Sequence, residues 1–379
     1  MVSIWEQETF FAPQDVVIAG SGFTGLWSAY WLKKKHPSWK ITVADRSVIP
    51  AGASTRNAGF ACFGSVSELV YDAGKMGAAR MLELVAMRFR GLQQIRDCFG
   101  ADRIDFDPCG GYELYDAADS LSASRLEKNI HFLNGALKAI TGTHQTFERI
   151  DEELPSFGFG HTRHLVRNRL EGALHSGKLL QALLQTVQGM GVQVFPSTAV
   201  TAFEPRAGSL EIATSQPFRL QARQLLVCTN AFARQLLPRL DVVPARGQVL
   251  LTSPIRDLPW KGTFHSDEGF YYFRNLGDRV LLGGARNKAF DEEETTEMHL
   301  TPLIQNELEA YLAQVVLPHH AGRYTIDYRW SGIMAMGGEK MPLVQQVAPG
   351  VFCAVRMSGM GVALAPLAGQ RVSEMMSDG

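Results

Sequence analysis

The run Asp15-Val16-Val17-Ile18-Ala19-Gly20-Ser21-Gly22-Phe23-Thr24-Gly25, with Asp45 beyond it, constrains this chain more than any other feature. It reads as a strand entering GxGxxG and then a helix, the geometry that cradles a dinucleotide. Gly20 permits the tight turn, Gly22 lets backbone approach a pyrophosphate, and Gly25 allows the helix to pack closely on the strand. Phe23 and Thr24 open the helix, whose first N–H groups lack intrahelical acceptors and suit phosphate oxygens. The helix should run from Phe23 to His36 and stop at Pro37, with a second strand from Lys40 to Ala44. Asp45 then falls about twenty residues past the last glycine, where its carboxylate accepts from ribose hydroxyls; Arg46 beside it completes this end of the expected site.

The chain has 379 residues, 46% of them hydrophobic, and this length exceeds what one compact core normally uses, so two domains are expected. Its 37 basic and 38 acidic residues supply no net field to draw nucleic acid or an anionic membrane, so a small-molecule enzyme is expected. Five scattered cysteines with no CxxC give neither a disulfide framework nor a zinc site. The ten histidines form no metal-ligand spacing, so no metal is expected, and His265 and His319-His320 read as surface or loop residues. The opening Met1-Val2-Ser3-Ile4 carries no basic stretch ahead of an apolar run, and no segment is long and apolar enough to span a bilayer. A soluble, cytoplasmic protein is expected.

A nicotinamide enzyme would usually continue from the second strand into another crossover helix. This chain instead enters Ala51-Gly52-Ala53-Ser54-Thr55-Arg56-Asn57-Ala58-Gly59, a loop of small residues that can fold along an extended cofactor and leave room for a flat ring. FAD suits it better than NAD; a solvated turn is the alternative reading. Near the other end, Gly359 and Gly361 open a helix whose first turns can accept Pro366 and whose apolar positions continue through Leu367 and Val372. A helix N-terminus there, with Ser358, Met360 and Val362 around it, would stabilise negative charge developing on a reduced flavin. Both ends of the chain are thereby expected at one cofactor.

These residues resemble the FAD-dependent amine and amino-acid oxidoreductases that include D-amino-acid oxidase, glycine oxidase, sarcosine oxidase and, in closest flavour, the gamma-glutamylputrescine oxidases. The resemblance spans nearly the whole chain. Besides the fingerprint and the Gly52–Gly59 loop it rests on Gly172-Ala173-Leu174-His175, Leu226-Val227-Cys228-Thr229-Asn230-Ala231, Pro244-Ala245-Arg246-Gly247-Gln248, Tyr271-Tyr272-Phe273-Arg274, Trp330-Ser331-Gly332-Ile333 and Met357-Ser358-Gly359-Met360-Gly361. It implies an α/β fold, α+β overall, with a discontinuous Rossmann-like FAD-binding domain from residues 1–80, 160–237 and 330–379. A mainly antiparallel-sheet substrate domain would be formed by 81–159 and 238–329. Val200 would meet the adenine end through its backbone, and Thr229, Asn230 and Gly332 would join the cofactor site.

The activity implied is oxidation of a carbon–nitrogen bond to an imine, with oxygen or an electron carrier as final acceptor. Tyr272, Arg274 and Arg356 are the candidate substrate-site residues: Arg274 either clamps a carboxylate or closes an ion pair, and Arg356 could reach the same space. Alternation along the strand allows only one of Tyr271 and Tyr272 to face the flavin. Arg286 lies beside the same sheet, whereas Arg56 is expected to serve FAD. The family's arginine after Trp-x-Gly is replaced by Met334, its oxygen-activating lysine by Leu281, and no tethering cysteine or histidine is present, so the FAD is expected to be non-covalent. Met334 and Met336 read as core fill or pocket lining. A flavin hydroxylase or NAD(P)H-dependent flavoprotein, and a flavin-binding protein without activity, remain open at this level.

Overall fold

The computed structural model describes residues 2–117 and 122–377; the extreme ends of the expected first and last segments lie outside the described residues. The fingerprint strand Gln14–Ala19 is the middle of a parallel sheet, flanked on one side by Ile41–Ala44 and Gln193–Phe195 and on the other by Arg219–Val227 and Val351–Val355. Val16, Val17 and Ile18 are fully buried because helices and loops cover both faces, which explains an uninterrupted apolar run in place of alternation. Antiparallel strands Val200–Arg206 and Ser209–Thr214 hang on Arg219–Val227, and Leu343–Ala348 closes the far edge.

Two helices stack on this sheet and a third packs on one of them, through close backbone contacts. The helix Phe23–Lys35 packs against the C-terminal helix Gly361–Ser377, where a side-chain carbon on Gly369 would stand 2.8 Å from the Ser28 amide nitrogen. The helix Ala78–Arg103, broken at Gly100, crosses the same C-terminal helix at Gly91. A Cβ there would come within 1.9 Å of the Ala363 carbonyl, so Gly91 sets the approach distance.

The second sheet has eight strands in the order Ile326–Met336, Val243–Thr252, Arg279–Gly284, Tyr271–Leu276, Thr263–Ser266, Gly111–Asp116, Thr162–Asn168 and Phe147–Arg149. All neighbours are antiparallel except Thr263–Ser266 with Gly111–Asp116. One face buries Leu250, Phe264, Tyr271, Phe273 and Leu282 with Ile304 and Leu308 of the helix Pro302–Tyr311. The register pairs Tyr272 with His265, His265 with Glu113, and Gly247 with Gly332, putting these residues on the opposite face.

The apolar stretch from Phe264 to Phe273 is a hairpin, because Asp267, Glu268 and Gly269 adopt positive φ and turn the chain. Strands Thr162–Asn168 and Ile326–Met336 join the second sheet although they fall in or across segments expected with the first. Among the described residues no helix is long and apolar enough to cross a membrane, and no cluster of side chains suits a metal ion.

Candidate cofactor and substrate site

One elongated cavity of about 510 Å³ runs between the two sheets, a size typical of sites for small molecules and cofactors. At one end lie Gly20, Gly22, Phe23 and Thr24. Gly20 has φ +105°, and a Cβ on it would stand 2.8 Å from the Cys228 carbonyl; on Gly25 it would stand 1.9 Å from the Gly20 carbonyl. Gly25 therefore holds the helix against the turn and does not itself line the cavity. Ser54, in the loop of small residues, accepts a hydrogen bond at Oγ from the Phe23 amide at 2.9 Å.

The Asp45 carboxylate accepts from the amide and hydroxyl of Ser21 at 2.8 and 2.7 Å and from the Ser47 amide at 2.9 Å. A carboxylate has about four acceptor positions, which leaves one for a further donor. The Arg46 guanidinium lies 3.6 Å from the ring centre of Phe232, and both line the cavity with Val200. Together these residues form one wall with a stacking surface and a charge.

Ala53, Ser54, Arg56, Asn57 and Ala58 line the middle of the cavity. Asn57 staples the loop, donating to the carbonyls of Ala53 and Ser54 at 3.1 and 2.9 Å and accepting from the Gly59 amide and the Ser176 hydroxyl. Arg56 donates to the carbonyls of Ala51 and Ser331, and Trp330 Nε1 donates to the Arg56 carbonyl. Arg56 thus locks the loop to the strand carrying Gly332, in addition to lining the cavity. Gly59 does not line it; its glycine is required because a Cβ would collide with the Leu174 carbonyl.

At the far end the glycine turn Ser358, Gly359, Met360 and the first helical residues Gly361 and Val362 enter the same cavity. Asn230 binds this turn to the parallel sheet by accepting at Oδ1 from the Arg356 amide at 3.1 Å. The buried hydroxyls of Thr229 and Ser358 have no hydrogen-bond partner among the described residues, and both residues line the cavity. Orphaned buried hydroxyls are rare in native proteins unless a bound group satisfies them. With the glycine cradle, the free helix termini and the glycines Gly247 and Gly332 on the facing sheet, this lining fits FAD.

The substrate-site expectations divide. Tyr272 lines the cavity, its ring over Gly283, where a Cβ would overlap it, while Tyr271 is buried on the other face and stacks on Tyr311 at 4.1 Å. Burial pushes the Tyr272 hydroxyl up to about 12. Arg274 is not in the cavity: it is buried and donates to the carbonyls of Gly59 and Leu174, both at 2.9 Å. Arg356 is likewise turned away, donating to the Met341 carbonyl at 2.9 Å and pairing with Asp241. Neither guanidinium is available as a clamp, because backbone carbonyls and a carboxylate already satisfy it.

Other residues take their place. His265, expected at the surface, lines the cavity next to Tyr272 and Phe60, and burial lowers it to about 4, so the imidazole is neutral. Arg286 lines the cavity without a hydrogen bond or ion pair among the described residues; its guanidinium lies 4.7 Å from the Phe290 ring centre. Burial lowers its pKa, with Glu293 and Glu294 acting in the other direction. Glu68 and Lys340 line the same end and pair with each other at 3.0 Å. Met334 and Met336 line the cavity, whereas Leu281 packs with Val249 and Leu251. Alternation along the chain gave no signal for His265, because positions 265 and 272 differ by an odd number; only the hairpin register puts His265 beside Tyr272.

A family described as FAD dependent oxidoreductase (DAO) matches residues 15–375. The chain is 25% identical over 378 residues to the probable oxidoreductase OrdL of Rhizobium meliloti, covering 95% of this chain and 82% of that protein. It is also 25% identical over 384 residues to the gamma-glutamylputrescine oxidoreductase of Escherichia coli, covering 96% and 83%. Among solved structures, L-proline dehydrogenase from P. horikoshii superposes with a TM-score of 0.78 at 17% identity, covering 97% of this chain and 94% of that one. Glycine oxidase from Geobacillus kaustophilus gives 0.74 at 18% identity, covering 97% and 95%. These two share the fold. By the match over nearly its full length, the chain belongs to the FAD-dependent oxidoreductase (DAO) family.

Proposed function

We propose that this protein is a flavoenzyme that oxidises the carbon–nitrogen bond of a small amine or amino acid to an imine. The observation that carries this reading is the convergence on one cavity of the Phe23 helix terminus, the Ala53–Ala58 loop and the Ser358–Val362 turn, beneath the sheet face bearing Tyr272. FAD, when bound, supplies the hydride acceptor. Gly20, Gly22, Phe23, Thr24 and Ser54 would hold its phosphates, Asp45, Arg46 and Val200 its adenosine end, and Thr229, Gly332 and Ser358 through Val362 its ring end. No cysteine or histidine stands in the Gly52–Gly59 loop or in Gly332–Met336, and the reading is of FAD held without a covalent bond.

The chain's own contribution is positioning and exclusion of water. Neutral His265 and Tyr272 present polar atoms without adding charge to the sheet face. Among the described residues Arg286 is the guanidinium free to meet an anionic group at this end, and burying it unpaired is unfavourable; it therefore takes the part expected of Arg274 and Arg356. A substrate carrying a carboxylate beside or beyond its amine fits this arrangement. Apolar Leu281, where a lysine would favour fast reaction with oxygen, leaves a carrier as well as oxygen open as final acceptor.

The test is spectroscopic. Purified protein should be yellow, and an anaerobic screen of N-methyl amino acids, D-amino acids and polyamine conjugates should bleach the flavin with at least one class. Colourless protein that takes up no added FAD would refute the cofactor assignment. Fast reduction by NADPH would instead favour a hydroxylase-type flavoprotein, and flavin that no amine bleaches would favour a binding protein.

A further inference from the structure

On the same sheet face as Tyr272 lies a second, smaller cavity of about 10 Å³, an enclosure walled in part by Gly111, Glu113, Asn168, Glu171 and His265. That is close to the room one water molecule needs. Two buried atoms of these residues, His265 Nε2 and Asn168 Nδ2, have no hydrogen-bond partner among the described residues, and Asn168 is 3% exposed. Glu171, also 3% exposed, accepts at Oε1 from the amides of Phe63 and Gly64 at 2.8 and 3.2 Å. Its Oε2 lies against Gly111, in space that a side chain there would occupy. Glu113, the cross-strand neighbour of His265, is already committed to Ser65, Ser67 and Tyr115.

We propose that this enclosure holds one ordered water bridging Glu171 Oε2, Asn168 Nδ2 and His265 Nε2. Through it Glu171 sets which ring nitrogen of His265 carries the proton. His265 spans both spaces, with Nδ1 on the side of Gly269, a residue that lines the large cavity. Glu171 is thus a positioning residue that decides whether the cavity-facing nitrogen donates or accepts.

The hydrogen count follows from the groups present. Asn168 Nδ2 can only donate, so it fills one acceptor position of the water. With Glu171 protonated, the Oε2 hydroxyl fills the other, the water donates to His265 Nε2, and the ring proton resides on Nδ1, pointing an N–H into the large cavity. With Glu171 ionised, the water donates to Oε2 and accepts from Nε2–H, and Nδ1 presents a lone pair instead. One proton leaves Glu171 for solvent, the ring proton changes nitrogen, and His265 stays neutral in both states.

The surrounding charges place this change in an accessible range. Burial lifts Glu171 to about 8 against the pull of its two amide hydrogen bonds, with Glu68 raising it and Arg88 lowering it. His265 is held near 4 by burial, with Glu68 opposing and Arg88 reinforcing. Of the other groups packed about the ring, Lys340 is tied to Glu68, Tyr272 stays neutral to about 12, and Glu268 sits exposed on the adjoining turn. On the amine-oxidation reading, the lone-pair state accepts an amine N–H, so amine binding tightens as Glu171 ionises.

The test uses holoenzyme labelled with ¹⁵N-histidine, the His265 signals being identified by their loss in His265→Asn. Wild type should pass from the Nδ1–H to the Nε2–H tautomer with a midpoint near pH 8. Glu171→Gln should stay in the Nδ1–H form wherever the ring is neutral, because the amide N–H replaces the carboxyl proton as permanent donor. A single tautomer throughout in wild type, or the same transition in Glu171→Gln, would overturn the proposal; should that variant not fold, the wild-type titration decides alone. A crystal structure of the holoenzyme with a dry enclosure would also overturn it. None of these readouts needs turnover, so this proposal and the amine reading can fail separately.

Discussion

Ser54 Oγ accepts the Phe23 amide at 2.9 Å, tying the loop of small residues to the first turn of the helix that follows the glycine fingerprint. The contact joins positions 31 residues apart at the point where a pyrophosphate would meet both. Ser54→Ala should leave the fold intact and weaken FAD retention by about tenfold, the worth of one hydrogen bond near a charged group. Equilibrium dialysis of the yellow protein against buffer reads this directly, and unchanged retention would remove Ser54 from the cofactor site.

Gly25 tests the packing half of the same motif. A methyl group at 1.9 Å from the Gly20 carbonyl forces the helix off the turn. Gly25→Ala should lower stability by about 1–3 kcal/mol, as overpacking does, and also abolish FAD uptake. Thermal melts with and without added FAD would show a lower midpoint and no stabilisation by the cofactor.

Arg246 and Glu293 are both buried and joined by two hydrogen bonds at 2.9 and 2.7 Å, with Gln248 donating to the same carboxylate. They anchor the segment that carries Arg286. Glu293→Ala leaves a buried guanidinium without its counter-charge and should destabilise by about 3–5 kcal/mol, measured by denaturant unfolding. A loss below 1 kcal/mol would mean that water or another group takes over the pairing.

Arg286→Gln should raise KM for a carboxylate-bearing amine by about 10–100-fold, the range for a charge-assisted hydrogen bond, with a smaller change in kcat. Arg286→Lys should recover part of the loss. The same substitutions should leave an amine without a carboxylate unaffected, and an equal loss for both substrates would assign Arg286 to general packing.

Two carboxyl groups give opposite pH signatures in thermal melts. Burial raises Glu68, but Arg88 and Lys340 outweigh it and bring the carboxyl to about 2 from an ordinary 4.5. Its stabilisation is therefore present above pH 4.5 and lost as pH falls toward 2, and Glu68→Gln should flatten that limb. Glu171 runs the other way: held protonated to about 8 in the fold, it binds more protons folded than unfolded between 4.5 and 8. Stability should decline with rising pH across that window and should decline less in Glu171→Gln.

The elements legible in the chain are those whose cause is local. The strand Gln14–Ala19, the helix Phe23–Lys35 and the strand Ile41–Ala44 lie within one or two residues of their expected limits, because apolar runs, glycines and Pro37 act over a few positions. Alternation lets one of two adjacent tyrosines line the cavity, and the register selects Tyr272. The Phe264–Phe273 hairpin was not legible: Asp267 and Glu268 take positive φ without being glycine, in a turn held by the pairing of the strands on either side and by Asn287, which donates to the Asp267 carboxylate at 2.8 Å.

The sequence by itself determined a dinucleotide cradle at the N-terminal end, a glycine turn opening a helix at the C-terminal end, and the chemistry of a flavin family, since backbone freedom at glycine and residue spacing are properties of short segments. Only the tertiary structure decided which charged and polar side chains are available. Arg274 is satisfied by carbonyls 100 and 215 residues away, and Arg356 by Asp241 and Met341. Arg286 and His265 were left facing the cavity. A guanidinium or imidazole acts on a ligand only where the protein has not already satisfied its hydrogen bonds, and that depends on neighbours that folding brings from distant parts of the chain.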